Sequence, residues 1–414
     1  MKKSTLFLRA AATAAAIAAA TPQAQAITFI LNNTGGAELG TNARKGFEIA
    51  TAYWSSVLTS NAVINLNIGF ASLGAGILGS TSSTTNVQFN SAVYGALAAN
   101  ATSTLDAQAV ASLRPLGSSA YGVNAVTAVT NAFNSTNTGY VDTATRVDND
   151  GSINNVAVSM NNSVAKAMGI TTDANGNAIN YAAADGSVTF SSNFAFDFDP
   201  SNGIDSDKFD FIGVAIHEIG HALGFRSGVD TYDAYTTPAP GSSTTSATAS
   251  RTGALENVVV ASELDLFRYG SAGTLDWSTQ NTPYFSVNGG VSQLFGDSLF
   301  STGVRNGDGR QASHWKDSAA GVPQLGVMDP TSGYGQMQDI TALDIAAFDV
   351  LGYRTSFDAN LNQSYRFTTA DAYRAFAGQA TPVVPEPTTW AMLILGFGMV
   401  GYSLRRRSAK VAFA

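Results

Sequence analysis

The segment HEIGHALGF, residues 217–225, sets two histidines four positions apart with a glutamate directly after the first. On a helix, positions i and i+4 lie one above the other on one face. His217 and His221 can therefore offer two imidazoles to one metal ion while Glu218 projects beside them. Catalytic zinc keeps three protein ligands and an open position, where it acidifies water to a pKa of about 7. A neighbouring carboxylate can take that proton and later hand it to a leaving amine. The chain has no cysteine, which excludes disulfides, thiolate metal sites and cysteine nucleophiles. Any metal must be held by His, Asp or Glu. Ser227, three residues beyond Gly224, is a poor zinc ligand, so the third ligand has to come from farther away.

Several elements must place this motif. Phe209, Ile212, Ile216 and Leu223 recur at helical spacing around it. Asp207 and Asp210 fall where a first turn would welcome negative charge, and Gly224 is placed to end the helix in a left-handed conformation. Upstream, TNARKGFEIATAYWSSVL carries Phe47, Ala50, Tyr53, Trp54, Val57 and Leu58 on one helical stripe, with Thr41 as the cap. VINLNIGFASLG alternates with Ile64, Leu66, Ile68 and Phe70 on one side, a half-buried strand. Ser80–Asn86 reads as a polar loop, 91–170 as mixed, with a helix at Asp106–Leu113 and a weak strand at Val156–Met160. GSVTFSS predicts a strand at Val188–Ser191. Late in the chain, DITALDIAAFDVLGY predicts an amphipathic helix with Thr341 and Asp344 as capping box and Ile345, Phe348 and Leu351 turned inward. Helices segregated beside a mixed sheet define an α+β fold.

Up to Gly224 the motif resembles that of the metzincin zinc peptidases, H-E-x-x-H-x-x-G; Ser227 stands where their third ligand usually falls. Leishmanolysin-type members instead insert a long segment before a distant third histidine that precedes a tryptophan. QASHWKDSAAGVPQLGVMDP has His314, the chain's remaining histidine, then Trp315, and Met328 in a stretch that resembles the methionine turn. The resemblance spans about Asp185 to Tyr353. It implies a metzincin-like α+β fold with a mixed, twisted sheet, an active-site helix and a C-terminal helix after the methionine turn. It also implies Zn2+ on His217, His221 and His314, with Glu218 as catalytic base of an endopeptidase acting on protein or peptide substrates. The peptidase domain would run over 27–380 with an insertion at about 228–305. Glu263 in ASELDLFRYG is the rival third ligand, because gluzincin-type peptidases use a downstream glutamate; LDLFRY itself reads as a strand or short core segment. Asp230 and Asp233 are nearer, and read as loop acids or as partners of a ligand.

Other features are less specific. Asp197, Asp199, Asp205 and Asp207 in FDFDPSNGIDSD could hold Ca2+ through hard oxygens, although the spacing is not that of an EF-hand and a solvated acidic loop competes. GSVTFSS could be an exposed edge strand for an extended peptide. Tyr334 could polarise a carbonyl or simply pack. A surface-matrix or adhesion protein with a structural zinc site is the alternative function, suggested by the Asn/Ser/Thr/Gly-rich body; a structural site would have no use for Glu218 as a base.

Both ends read as addresses. Lys2 and Lys3, an Ala-rich apolar run and AQA before Ile27 predict a signal peptide over 1–26. At 381–407, a Pro-Glu-Pro turn precedes an apolar run from Trp390 to Leu404 and a basic stop at Arg405–Arg407. The run is short beside the usual span of about 20 residues. This tail resembles the PEP-CTERM sorting signals, which implies an exosortase-type partner, transient membrane anchoring and delivery to the cell surface or medium. Between the ends, a Ser/Thr/Pro/Gly-rich stretch at 236–252 reads as an exposed insertion. Residues 27–384 keep 15 basic and 29 acidic residues, a net charge of −14. Such a body repels nucleic acid and anionic membranes.

Overall fold

Alternating apolar residues give the first half of the chain a sheet, and a helical stripe gives it a cover. The computed structural model describes residues 26–116, 126–128, 146–148, 151–231, 259–279, 281–319 and 321–379. The signal peptide expected over 1–26 falls, up to residue 25, outside the described residues, as do the 236–252 stretch, Asp233 and residues 380–414. β1 (Thr28–Gly35) and β2 (Val63–Ala71) pair in parallel, a pairing that needs a crossover. α1 (Asn42–Val57) supplies it, with Thr41 Oγ1 accepting from the Arg44 amide. Its predicted stripe is buried, and so are Ile64, Leu66 and Ile68 of β2.

β3 (Gly79–Ser83) and the start of β4 (Thr85–Phe89) fall in Ser80–Asn86, the stretch that reads as a polar loop. GSTSS has no apolar alternation, yet an edge strand needs only its backbone groups to pair. Next come α2 (Asn90–Asn100), α3 (Thr104–Ser112), and the short strands β5 (Val126–Ala128) and β6 (Arg146–Asp148). α4 (Ile153–Val156), β7 (Ala157–Asn161) and α5 (Asn162–Met168) lead to β8 (Gly186–Ser191). β4 and β7 form an antiparallel pair. The main sheet runs β1-β2-β8-β3, the first three parallel and β3 antiparallel at the edge. Val188–Ser191 is therefore interior, not the predicted exposed edge: β8 pairs with β2 on one side and β3 on the other. Alternation marks a strand but says nothing of its neighbours.

The two-residue strands β9 (Phe196–Asp197) and β10 (Phe209–Asp210) pair in parallel and feed α6 (Phe211–Ala222). Phe209 and Asp207 thus precede the helix, and Asp210 is its cap, accepting from the Gly213 amide at 2.9 Å. α1 and α6 pack closely because Gly46 faces Phe211, whose ring a Cβ would approach to 2.3 Å. Phe47, Phe190 and Phe211 form an aromatic cluster between sheet and helices, with centroids 4.4–5.3 Å apart. Gly224 leaves the helix with a φ of 115°, in the positive-φ region that glycine tolerates.

LDLFRY divides between a 3-10 turn, Leu264–Phe267, and β11 (Arg268–Ser271). With β12 (Thr274–Asp276) and β13 (Tyr284–Phe285), β11 joins β5 and β6 in a second mixed sheet. β14 (Asp339–Thr341), α7 (Ala342–Val350), β15 (Arg366–Thr368) and α8 (Thr369–Gln379) close the chain's described part. The architecture is α+β with mixed sheets, as expected. Among the described residues no helix is long and apolar enough to cross a membrane.

Candidate metal centre

α6 presents His217 and His221 on one face, and the chain returns 93 residues later to add His314. The three Nε2 atoms lie 3.0, 3.1 and 3.2 Å from one another. Each Nδ1 meets a backbone carbonyl: His217 at Val327 (2.7 Å), His221 at Phe225 (2.7 Å) and His314 at Gln311 (3.1 Å). A carbonyl can only accept, so each Nδ1 carries the proton and three Nε2 lone pairs converge. Three acceptors at this distance repel unless a cation lies among them. Tetrahedral zinc with nitrogen ligands would separate those nitrogens by about 3.3 Å, close to the observed spacing. Burial lowers the pKa of His217 to about 4 and of His221 to about 3, and pushes His314 well below its usual value. All three are neutral at pH 7, the form that binds metal. Among the described residues, these three are the His, Asp and Glu side chains close enough to share an ion.

The rival ligand Glu263 and the polar residues nearer in sequence are engaged elsewhere. Ser227 donates its hydroxyl to Asp265 at 2.6 Å. Glu263 is fully buried away from the cluster, with Oε1 accepting from the Asn161 amide at 3.0 Å. Burial pushes its pKa up to about 7. Asp230 acts at one remove, its carboxylate accepting from the amides of Val304 and Ala312 and so bracing the loop that ends in His314. The four predicted calcium ligands do not converge either. Asp197 accepts from the amides of Asp199 and Asp205, Asp199 from Ser201, and Asp205 pairs with Lys208 at 2.7 Å. They shape the loop.

Side chains fix the loop on the His314 side. Trp315 is fully buried, stacked on Phe300 at 5.1 Å and edge-on to Phe225 at 4.8 Å. Met328 packs beneath α6 at Gly220, where a Cβ would come within 2.6 Å of its sulfur. Asp344 of α7 joins these parts. Its Oδ1 accepts from Trp315 Nε1 (2.9 Å) and the Met328 amide (3.2 Å), and its Oδ2 from the amides of Val327 (2.9 Å) and Thr341 (2.8 Å). The sequence shows Asp344 as a capping residue, which it is; nothing in the spacing signals that it also holds the turn whose Val327 carbonyl orients His217.

A cleft of about 730 Å³ opens over the cluster, lined by β3, α6, the His314 loop and the residues after Met328. Glu218 lines it and is only 6% exposed. Burial raises its pKa to about 7, against the opposing hydrogen bond from Thr81. A carboxyl with that pKa can both accept and return a proton near neutrality. Tyr334 is exposed, rests on the Phe209 ring at 4.1 Å and does not line the cleft. Sequence reasoning missed Thr81 and Gly79, which face Glu218 from the strand read as a loop.

Residues 383–407 match the family described as the PEP-CTERM protein-sorting motif. The chain thus carries the mark of an exported protein that is sorted at its C-terminus to the cell surface, with an exosortase-type enzyme as partner. No curated protein and no solved structure matches the chain.

Proposed function

We propose that the protein is a surface-sorted zinc endopeptidase, with a metzincin-like catalytic domain between an N-terminal signal peptide and the sorting tail. The convergence of three Nε2 atoms, each fixed by a carbonyl on its own Nδ1, carries this reading. A surface site that bound no metal would gain nothing from burying three neutral imidazoles tip to tip. The donor set fits zinc, which prefers nitrogen ligands in tetrahedral array and tolerates an open position.

A bound zinc supplies Lewis acidity, polarising a scissile carbonyl and making water a better acid. The protein's own groups do the rest. Glu218 takes the proton from the attacking water and delivers it to the departing amine, a task its raised pKa suits. The carbonyls of Val327, Phe225 and Gln311 keep each imidazole in one tautomer throughout. A cleft of about 730 Å³ stands over the histidines, and the body's negative charge disfavours polyanionic substrates.

Glu218→Gln keeps size and polarity but removes the proton acceptor. One zinc per chain should remain bound while the turnover of a peptide library falls by about 10²–10⁴. Zinc content is measured beside cleavage. Retained turnover in this variant removes Glu218 from the mechanism; bound zinc with no cleavage even in the wild type leaves a structural zinc site on a surface protein.

A further inference from the structure

We propose that the edge strand β3 positions the catalytic base: Thr81 and Gly79 together set where the Glu218 carboxylate stands. The functional meaning rests on reading Glu218 as the base, whereas the geometry does not. Thr81 Oγ1 lies 2.8 Å from Glu218 Oε2 and 2.8 Å from the carbonyl oxygen of the same residue. One hydroxyl therefore touches both the head and the root of a single side chain, folding the carboxylate back against its own helical turn. A free glutamate has three rotatable bonds, and this two-point hold removes most of that freedom.

Gly79 supplies the second restraint. A Cβ at this position would stand 2.6 Å from Glu218 Oε1 and 2.8 Å from Cγ, so the bare backbone of β3 is in contact with the carboxylate. Oε1 accepts no hydrogen bond from the described residues and is not sealed from solvent, which leaves it as the oxygen available to water in the cleft. Residues two apart on a strand share a face, and Ser83 continues the row by donating to the His221 carbonyl at 3.3 Å. Gly79, Thr81 and Ser83 are half-buried against α6, while Ser80 and Ser82 between them are exposed. Pairing with β8, Gly79 opposite Phe190 and Thr81 opposite Val188, fixes the register. A slip of one residue would put Ser80 and Ser82 against the helix instead. This small, hydroxylated strand is fitted to its helix by one face.

The test uses the full chain with three substitutions. Thr81→Val keeps the shape and removes the hydroxyl, Thr81→Ser keeps the hydroxyl, and Gly79→Ala pushes against the carboxylate. In Thr81→Val we expect kcat to fall about 10–100-fold, as for other groups that orient a site residue, with KM and zinc content unchanged. Thr81→Ser should restore most of the loss, and Gly79→Ala should lose kcat as Thr81→Val does. A second readout needs neither zinc nor activity: the carboxyl ¹³C resonance of Glu218 in metal-free, glutamate-labelled protein, assigned through Glu218→Gln. It should move in Thr81→Val and Gly79→Ala and stay in place in Thr81→Ser. An unmoved resonance in Thr81→Val, or a moved one with unchanged kcat in an active enzyme, overturns the proposal. If the wild type cleaves nothing yet the resonance moves as expected, the positioning stands and the peptidase reading falls.

Discussion

The two walls of the cleft are built by opposite means. On one side, the buried Asp344 carboxylate accepts from the Trp315 indole and from the amides of Val327 and Met328, and so fixes the residue after His314 and the turn whose carbonyl orients His217. On the other, β3 contributes glycine, serine and threonine, half-exposed and held by main-chain pairing to β8. The first wall depends on large buried side chains; the second depends on a strand register that brings a bare glycine and one small hydroxyl to Glu218. Substitutions should therefore strike metal binding from the first wall and turnover from the second.

The sharpest way to break that contrast is to remove His314, the candidate ligand next to Trp315. His314→Ala should lose tightly bound zinc and all peptidase activity, while Glu263→Gln should keep one zinc per chain. Metal analysis after dialysis checks both. Zinc retained without His314 and lost with Glu263→Gln would make the site a glutamate-completed one, against the geometry described.

A smaller effect is expected one layer back. Asp344→Asn replaces an acceptor that serves Trp315, Val327, Met328 and Thr341 with a group that presents an N–H to some of them. Each buried donor left without a partner costs about 1–3 kcal/mol. Zinc affinity should fall about 10–100-fold and the melting temperature should drop, as when a group behind a metal ligand is changed. A competition titration with a chelating dye measures the first. Unchanged affinity would mean that the turn holds itself.

The motif helix, α1 and α7 were legible because apolar stripes and caps are local: Thr41, the Ile212–Ile216 pattern and the Thr341–Asp344 box all lie within a few residues of what they control. The sequence singles out His314 as the remaining histidine, next to Trp315, and the fold brings it to His217 and His221. β3 was not legible. Its contacts to Glu218 span 137 residues, and its composition is that of a loop. For the same reason alternation finds a strand at Val188–Ser191 but not its place inside the sheet, because strand order is a long-range property. Asp344 shows the intermediate case, a local role seen and a distant one unseen.

The smallest effect concerns the far end of α7. Asp349 accepts from Ser103 at 2.6 Å and Thr355 at 3.2 Å; burial, together with the nearby Asp106 carboxylate, pushes its pKa up to about 8, from 3.8. Nearby Asp358 also raises it, while the two hydroxyls lower it. A raised carboxyl pKa gives a contribution to stability that is complete below the unfolded value and lost as pH rises through the folded one. The metal-free protein should thus lose stability between pH 4 and 8 on this account, and Asp349→Asn should lose less over the same range. Urea midpoints at pH 5 and pH 8 give the comparison; identical slopes in both proteins would remove Asp349 from the support of this wall.

Zinc-dependent cleavage by the intact protein is the most direct test of the site. Purified full-length chain is assayed on a broad peptide library as isolated, after chelation, and after one equivalent of zinc is returned. Cleavage that disappears with the metal and returns with it is the predicted result. Cleavage indifferent to chelation, or none after zinc is restored to a correctly folded protein, would contradict it.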